Sequence, residues 1–214
     1  MKTCVLICAG NFSIEHITVE EDDFCIAVDG GYAYCKQLGI KPDLIVGDMD
    51  SLPENLQKEI QKIGGEKPGK VIRLCQEKDD TDTLAALRIG MEKGYRNYRL
   101  YGALGGRIDH TIANIQCLSY LKNNGAEGII LEEGLAITVI KEEKVSFGNR
   151  EKGYLSLFSL GERAEGVTIT GMKYPLNQAL VTNDYPIGIS NEFTGEDSMV
   201  EVRKGMLLAV LSLK

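Results

Sequence analysis

A chain of 214 residues lies above the common single-domain size of about 100–150 and near the length where one domain and two are both ordinary. Its 43% hydrophobic and 26% charged residues, with 24 glycines and 5 prolines, exclude disordered, collagen-like and disulfide-scaffold chains and supply enough apolar material for a core. The net charge of −7, from 24 Lys+Arg against 31 Asp+Glu, excludes a general nucleic-acid binder, which needs surplus cations to displace counterions; a phosphate-handling role would call on a metal ion.

The first residues, Met1 to Asn11, hold one lysine and a short apolar run that ends well before the roughly 20 residues needed to span a bilayer. No signal peptide or membrane segment is expected. Six cysteines (Cys4, Cys8, Cys25, Cys35, Cys75, Cys117) fall in the first 120 residues, mostly inside apolar runs, with no zinc spacing. They read as reduced, buried thiols of a cytoplasmic protein.

In chain order, strands are predicted at Thr3–Ala9, Phe24–Val28, Asp43–Val46, Lys70–Leu74 and Tyr98–Tyr101. Helices are predicted at Tyr32–Leu38, Glu54–Ile63, Thr83–Lys93 and His110–Lys122, where Leu84, Leu87, Ile89 and Met91, then Ile112, Ile115, Leu118 and Leu121, follow helical spacing. Continuous β-branched strands alternating with helices define an α/β region with a mostly parallel, Rossmann-like sheet. The texture changes after Asn123-Asn124-Gly125. Short strand-like runs at Ala136–Ile140, Lys144–Phe147, Tyr154–Ser159, Ala164–Thr170, Ile187–Ser190, Ser198–Val202 and Met206–Leu211, without a convincing helix, predict an all-β sandwich. Two domains are therefore expected, 1–125 and 126–214, with Ile129–Leu131 able to close the first sheet or open the second.

In an open parallel sheet, ligands bind outside the carboxyl ends of the strands. Four loops there carry acids and glycines: Asp29-Gly30-Gly31; Gly47-Asp48-Met49-Asp50-Ser51; Glu77-Lys78-Asp79-Asp80-Thr81-Asp82; and Gly102 through Gly105-Gly106-Arg107-Ile108-Asp109-His110. A single Asp after a strand is commonly a helix cap, but carboxylates gathered on one rim raise one another's pKa unless a cation neutralises them. Mg²⁺ fits such a rim, with Asp48 and Asp50 at i and i+2 and Asp82 as a third ligand. Lys78 and Arg107 are the cations in these loops besides His110. Arg107 either pairs with Asp109 or joins Lys78 in clamping polyphosphate oxygens, helped by the Gly105-Gly106 amides and the following helix N-terminus. Neither a Walker loop nor a kinase signature is present.

Together these four motifs, with Gly166-Val167-Thr168-Ile169-Thr170-Gly171-Met172-Lys173-Tyr174-Pro175-Leu176 and Gly188-Ile189-Ser190-Asn191-Glu192, resemble the thiamine pyrophosphokinase family in order and spacing over almost the whole chain. His110, where eukaryotic members tend to carry Gln, makes the resemblance bacterial in type. It implies transfer of a pyrophosphoryl group from ATP to the hydroxyl of thiamine, giving thiamine diphosphate and AMP, with Mg²⁺. It also implies an N-terminal ATP-binding catalytic domain, a C-terminal thiamine-binding sandwich, and a homodimer whose active site is shared between subunits.

Carried onto this sequence, the family pattern makes Asp48, Asp50 and Asp82 metal-binding and, with Arg107 and Asp109, catalytic. Asp29, Gly30, Gly31, Lys78, Thr81, Gly106, Arg107 and His110 become nucleotide-contacting, and Ser190 and Asn191 face thiamine. The chain has no Trp, so ring stacking falls to a Tyr or Phe, with Phe193 the candidate. Asp82 is favoured as the base that takes the hydroxyl proton. The competing readings are a pyrophosphokinase for another alcohol, of the hydroxymethylpterin type, and a non-catalytic nucleotide or thiamine sensor.

Overall fold

A computed structural model describes residues 2–12, 14, 17–75 and 80–212, which fall into two compact units, 1–133 and 134–214. In the first, strands β1 (Thr3–Ile7), β2 (Phe24–Val28), β3 (Leu44–Gly47), β4 (Val71–Arg73), β5 (Asn97–Tyr101) and β6 (Glu127–Glu132) alternate with helices. These are α1 (Gly31–Leu38), α2 (Glu54–Glu66), α3 (Asp82–Glu92) and α4 (Ile108–Asn123). The strands are all parallel, in the order β6-β5-β1-β2-β3-β4. Ile129–Leu131 pairs with Arg99–Tyr101, so that run closes the first sheet. The break between units therefore falls just beyond the change of texture at 125.

The period-two alternation of strand side chains sends residues to opposite faces. Val5, Ile7, Cys25, Ala27 and Ile45 pack with Tyr32 and Cys35 of α1 and Ile60 of α2. On the other face Cys4 approaches Gly90 of α3, and Gly128 of β6 lies under Leu118 and Leu121 of α4. Because both faces are covered, β1 is buried over its whole length. Gly31, the first residue of α1, has no room for a side chain: a Cβ there would lie 1.9 Å from the Ile7 carbonyl oxygen. Close helix-on-strand packing thus accounts for glycine at 31.

The second unit holds β7 (Leu135–Lys141), β8 (Lys144–Asn149), β9 (Tyr154–Ser159), β10 (Arg163–Thr170), β11 (Leu176–Thr182), β12 (Gly188–Glu192), β13 (Asp197–Glu201) and β14 (Met206–Ser212). Its strands run β12-β9-β14-β7 and β11-β10-β13-β8, antiparallel throughout. Ile140, Leu155, Leu157, Leu207 and Ala209 from one group share a core with Ala164, Val167, Ile169, Val181 and Val200 from the other, which makes a sandwich. Strand β11 has no counterpart among the expected strands. Among its residues only Val181 is buried, so Leu176–Thr182 lacks the alternation that marks a half-buried strand.

Candidate active site

Successive strands β2, β3 and β4 lie to one side of β1, and the chain then returns to place β5 and β6 on the other. This reversal opens a crevice outside the carboxyl ends of β1 and β5. The loop after β1 is stitched to the loop after β5 by main-chain bonds from Cys8 N to Tyr101 O (2.8 Å), Gly10 N to Gly102 O (2.7 Å) and Asn11 N to Leu104 O (2.8 Å). Tyr34 donates to the Gly10 carbonyl at 2.8 Å, and the buried Asn114 of α4 holds the Ala103 carbonyl at 2.7 Å. Gly10 and Asn11 thus form a fifth loop of the rim. The signal was present in the sequence as a glycine and an asparagine directly after a predicted strand.

The loop after β3 has a fixed shape. Asp50 N–H donates to Asp48 Oδ1 at 3.1 Å, a short turn closed by the first carboxylate. Between them Met49 takes a left-handed φ of 66° and is 1% exposed, packed with Leu52, Ile60 and Ile45. Asp48 is half-buried and Asp50 exposed. Asp29, at the end of β2, accepts from Met49 N–H at Oδ1 (3.2 Å) and from the Ser51 hydroxyl at Oδ2 (2.8 Å).

Glu77, Lys78 and Asp79 lie outside the described residues. Next to them Asp80 pairs with Arg88 at 2.6 Å, and Thr81 accepts from Leu84 N–H at 3.2 Å as the N-cap of α3. Asp82 sits in the first helical turn, half-buried. Among the described residues no three His, Cys, Asp or Glu side chains are placed to hold a metal ion. The donor chemistry nevertheless suits a hard cation that arrives with phosphate oxygens and water, for which one or two carboxylates suffice.

In the loop before α4, Arg107 forks onto Asp109, with Nε to Oδ1 at 3.2 Å and Nη2 to Oδ2 at 2.5 Å. The guanidinium holds the Asp109 carboxyl below the usual carboxylate range, and Asp109 in turn raises Arg107. Both side chains are mostly exposed, so an incoming anion meets an arginine with one exchangeable partner among the described residues. Gly106 and His110 are exposed beside it. Among the described residues no side chain caps the N-terminus of α1 or of α4, so each keeps the positive end of its dipole for an anion, although in α1 the Tyr32 and Ala33 amides donate to the Asp29 and Gly30 carbonyls at 3.2 and 3.0 Å.

In the second unit the expected pair separates into two roles. Asn191 is buried, and its amide clamps the main chain of Tyr174: Tyr174 N–H donates to Oδ1 at 2.9 Å and Nδ2 donates to the Tyr174 carbonyl at 2.8 Å. Ser190 is exposed in a left-handed φ of 56°, where the β9–β12 register shifts, and its N–H donates to Ser156 Oγ at 3.0 Å. Phe193 is 5% exposed inside the sandwich core with Arg150 against its ring, so it offers no open face for stacking. The exposed aromatics nearby in sequence are Tyr174 and Tyr185.

A doubly wound parallel unit with carboxylates, an arginine and uncapped helix ends on its carboxyl rim, followed by a β-sandwich, defines an α/β protein of the nucleotide-binding type with a second, all-β unit. Residues 16–130 match the family described as thiamin pyrophosphokinase, catalytic domain, and residues 136–207 match the thiamin pyrophosphokinase vitamin B1 binding domain. The chain belongs to the thiamin pyrophosphokinase family. It is 30% identical over 217 residues to the thiamine pyrophosphokinase of Bacillus subtilis (strain 168), covering 99% of both chains. The solved structure of the Bacillus subtilis thiamine pyrophosphokinase superposes with a TM-score of 0.84 at 27% identity over 100% of both chains. That of the thiamin pyrophosphokinase from Geobacillus thermodenitrificans gives 0.84 at 27% over 100% of this chain and 98% of its own.

Proposed function

We propose that the protein transfers the pyrophosphoryl group of ATP to the hydroxyl of thiamine, releasing AMP and thiamine diphosphate. The observation that carries this reading is the match of both halves of the family, catalytic and vitamin-binding, in order along one chain. The rim chemistry supports it. The nucleotide is held with its β-phosphorus facing the thiamine oxygen, so AMP is the leaving group. Arg107 and Lys78 bind phosphate oxygens, with Gly106 and the amides at the start of α4 and of α1, at Gly30 and Gly31, adding positive potential. Thr81, as the cap of α3, fixes the helix that carries Asp82. His110, exposed in the first turn of α4, is a further nucleotide contact.

Asp48 and Asp50, with Asp82, are the residues that would hold Mg²⁺, which when bound neutralises charge on the polyphosphate. Asp82 takes the hydroxyl proton late in a loose transition state, and positioning with electrostatic stabilisation supplies most of the acceleration. Asp109 orients Arg107 until phosphate arrives. Ser190 contacts thiamine, and Asn191 sets the Tyr174 turn beside it.

A homodimer is part of the proposal, supported by exposed apolar side chains at Ile108, Ile112, Tyr185, Ile187 and Ile189. So is a cytoplasmic location, supported by six cysteines that are all free thiols. Among the described residues no helix is long and apolar enough to cross a membrane. The test is incubation with ATP, MgCl₂ and thiamine, followed by chromatography. Equal amounts of AMP and thiamine diphosphate are expected. Thiamine monophosphate with ADP, or turnover of a hydroxymethylpterin in place of thiamine, would overturn it.

A further inference from the structure

We infer that Asp29 is a positioning residue: its carboxylate braces the Gly47–Ser51 loop and so presets Asp48 and Asp50, instead of contacting the nucleotide itself. The inference deepens the proposed function and rests on it for the catalytic consequence. Each oxygen of Asp29 is engaged within the protein, Oδ1 by the Met49 amide at 3.2 Å and Oδ2 by the Ser51 hydroxyl at 2.8 Å. The two donors follow Asp48 and flank Asp50, so one side chain holds the loop on both sides of Asp50.

The backbone is arranged to bring this about. Asp29 adopts φ 47°, a left-handed conformation in which Asp and Asn are the best-tolerated residues after glycine, and its own N–H donates to Val46 O at 2.8 Å. Gly47, at φ 150°, lets β3 pass directly over it: a Cβ at 47 would lie 2.9 Å from Asp29 Cα. Met49, also left-handed, is sunk into the apolar cluster and its N–H is held by the brace. With residue 49 pinned inward on one side and tied to Asp29 on the other, Asp48 and Asp50 have little freedom to reorient. Such strained conformations persist only where surrounding contacts over-determine them.

The test compares Asp29→Gly, Ser51→Ala, Ser51→Thr and the Asp29→Gly/Ser51→Ala double variant in the full chain. Gly removes both acceptor oxygens and adopts the left-handed φ of 47° without strain, so folding is preserved. In the free protein, amide hydrogen exchange in the 47–52 peptide is expected to accelerate at least about tenfold in Asp29→Gly and Ser51→Ala and to return towards wild type in Ser51→Thr. In turnover assays kcat is expected to fall about tenfold in Asp29→Gly and in Ser51→Ala, to stay near wild type in Ser51→Thr and to fall no further in the double, with the KM for thiamine unchanged. Unchanged exchange, or losses that multiply in the double variant, overturns the brace, since a direct nucleotide contact at Asp29 would act independently of Ser51. The exchange measurement uses no substrate, so it decides the brace even if thiamine proves not to be the acceptor.

Discussion

Removing the Asn191 side chain tests whether that residue is a ligand contact or a clamp. Its amide makes two bonds to one residue, accepting from Tyr174 N–H at 2.9 Å and donating to the Tyr174 carbonyl at 2.8 Å, at a site that is 4% exposed. A net hydrogen bond contributes about 1 kcal/mol, so the pair contributes about 2, and leaving both Tyr174 main-chain groups partly buried without partners adds about 1. Asn191→Ala should therefore destabilise the chain by about 3 kcal/mol, read from the urea midpoint by far-ultraviolet circular dichroism and tyrosine fluorescence. Asn191→Asp sharpens the test. It keeps the acceptor for Tyr174 N–H but sets a carboxylate oxygen against the carbonyl, which favours the protonated form and raises the folded-state pKa above the unfolded value. The variant should then be most stable below the ordinary carboxylate pKa of about 4 and lose stability as pH rises through the raised value, a trend absent from the wild type. A loss under about 1 kcal/mol in Asn191→Ala, together with a raised KM for thiamine and no pH trend in Asn191→Asp, would refute the clamp and restore a direct contact.

Asp50→Asn and Asp82→Asn should each lower kcat by at least about 10²-fold through lost charge stabilisation, and near-normal turnover in both would remove the acidic rim from the mechanism. Arg107→Lys should lower kcat/KM for ATP by about tenfold or more, because an ammonium cannot reproduce the fork that the guanidinium now presents to Asp109; an unchanged value would leave Arg107 as a surface ion-pair partner only. Thiolate alkylation at pH 8 should modify the exposed Cys75 first. Cys8 and Cys117, whose pKa values burial pushes up to about 12 and about 11, should react only once denaturant is added, and fast labelling of a second thiol in the native protein would contradict their burial.

The α/β unit was legible in the sequence because its strands are covered on both faces and so appear as unbroken apolar runs, as in Phe24–Val28 and Leu44–Gly47. Strand β11 was not, because its residues are mostly exposed and give no alternation to read. Ile129–Leu131 was ambiguous because the same apolar run suits either sheet, and only its pairing with β5 decides. Aspartates on the rim could be found from their place after strands. Their partners could not: that Asp29 reaches Met49 and Ser51 depends on β2 and β3 being neighbours, and that Gly10 and Asn11 join the rim depends on β1 lying beside β5. Phe193 and Asn191 show a further limit. An aromatic or amide in a loop-like stretch has the same appearance in sequence whether it faces solvent or, as here, the interior of a sandwich.

The position of β1 also sets an order of assembly. It precedes both neighbours in the chain, yet it lies between β2, residues 24–28, and β5, residues 97–101. During synthesis one edge of this wholly buried strand can be satisfied early, while the other stays open until most of the unit has emerged. Long-range parallel pairing of this kind is slow, and the crevice between the β1 and β5 loops does not exist before it is complete. A chain stopped short of residue 97 would therefore lack the crevice altogether, and would carry an open apolar edge with three cysteines in β1 and β2 and just beyond β1, at 4, 8 and 25.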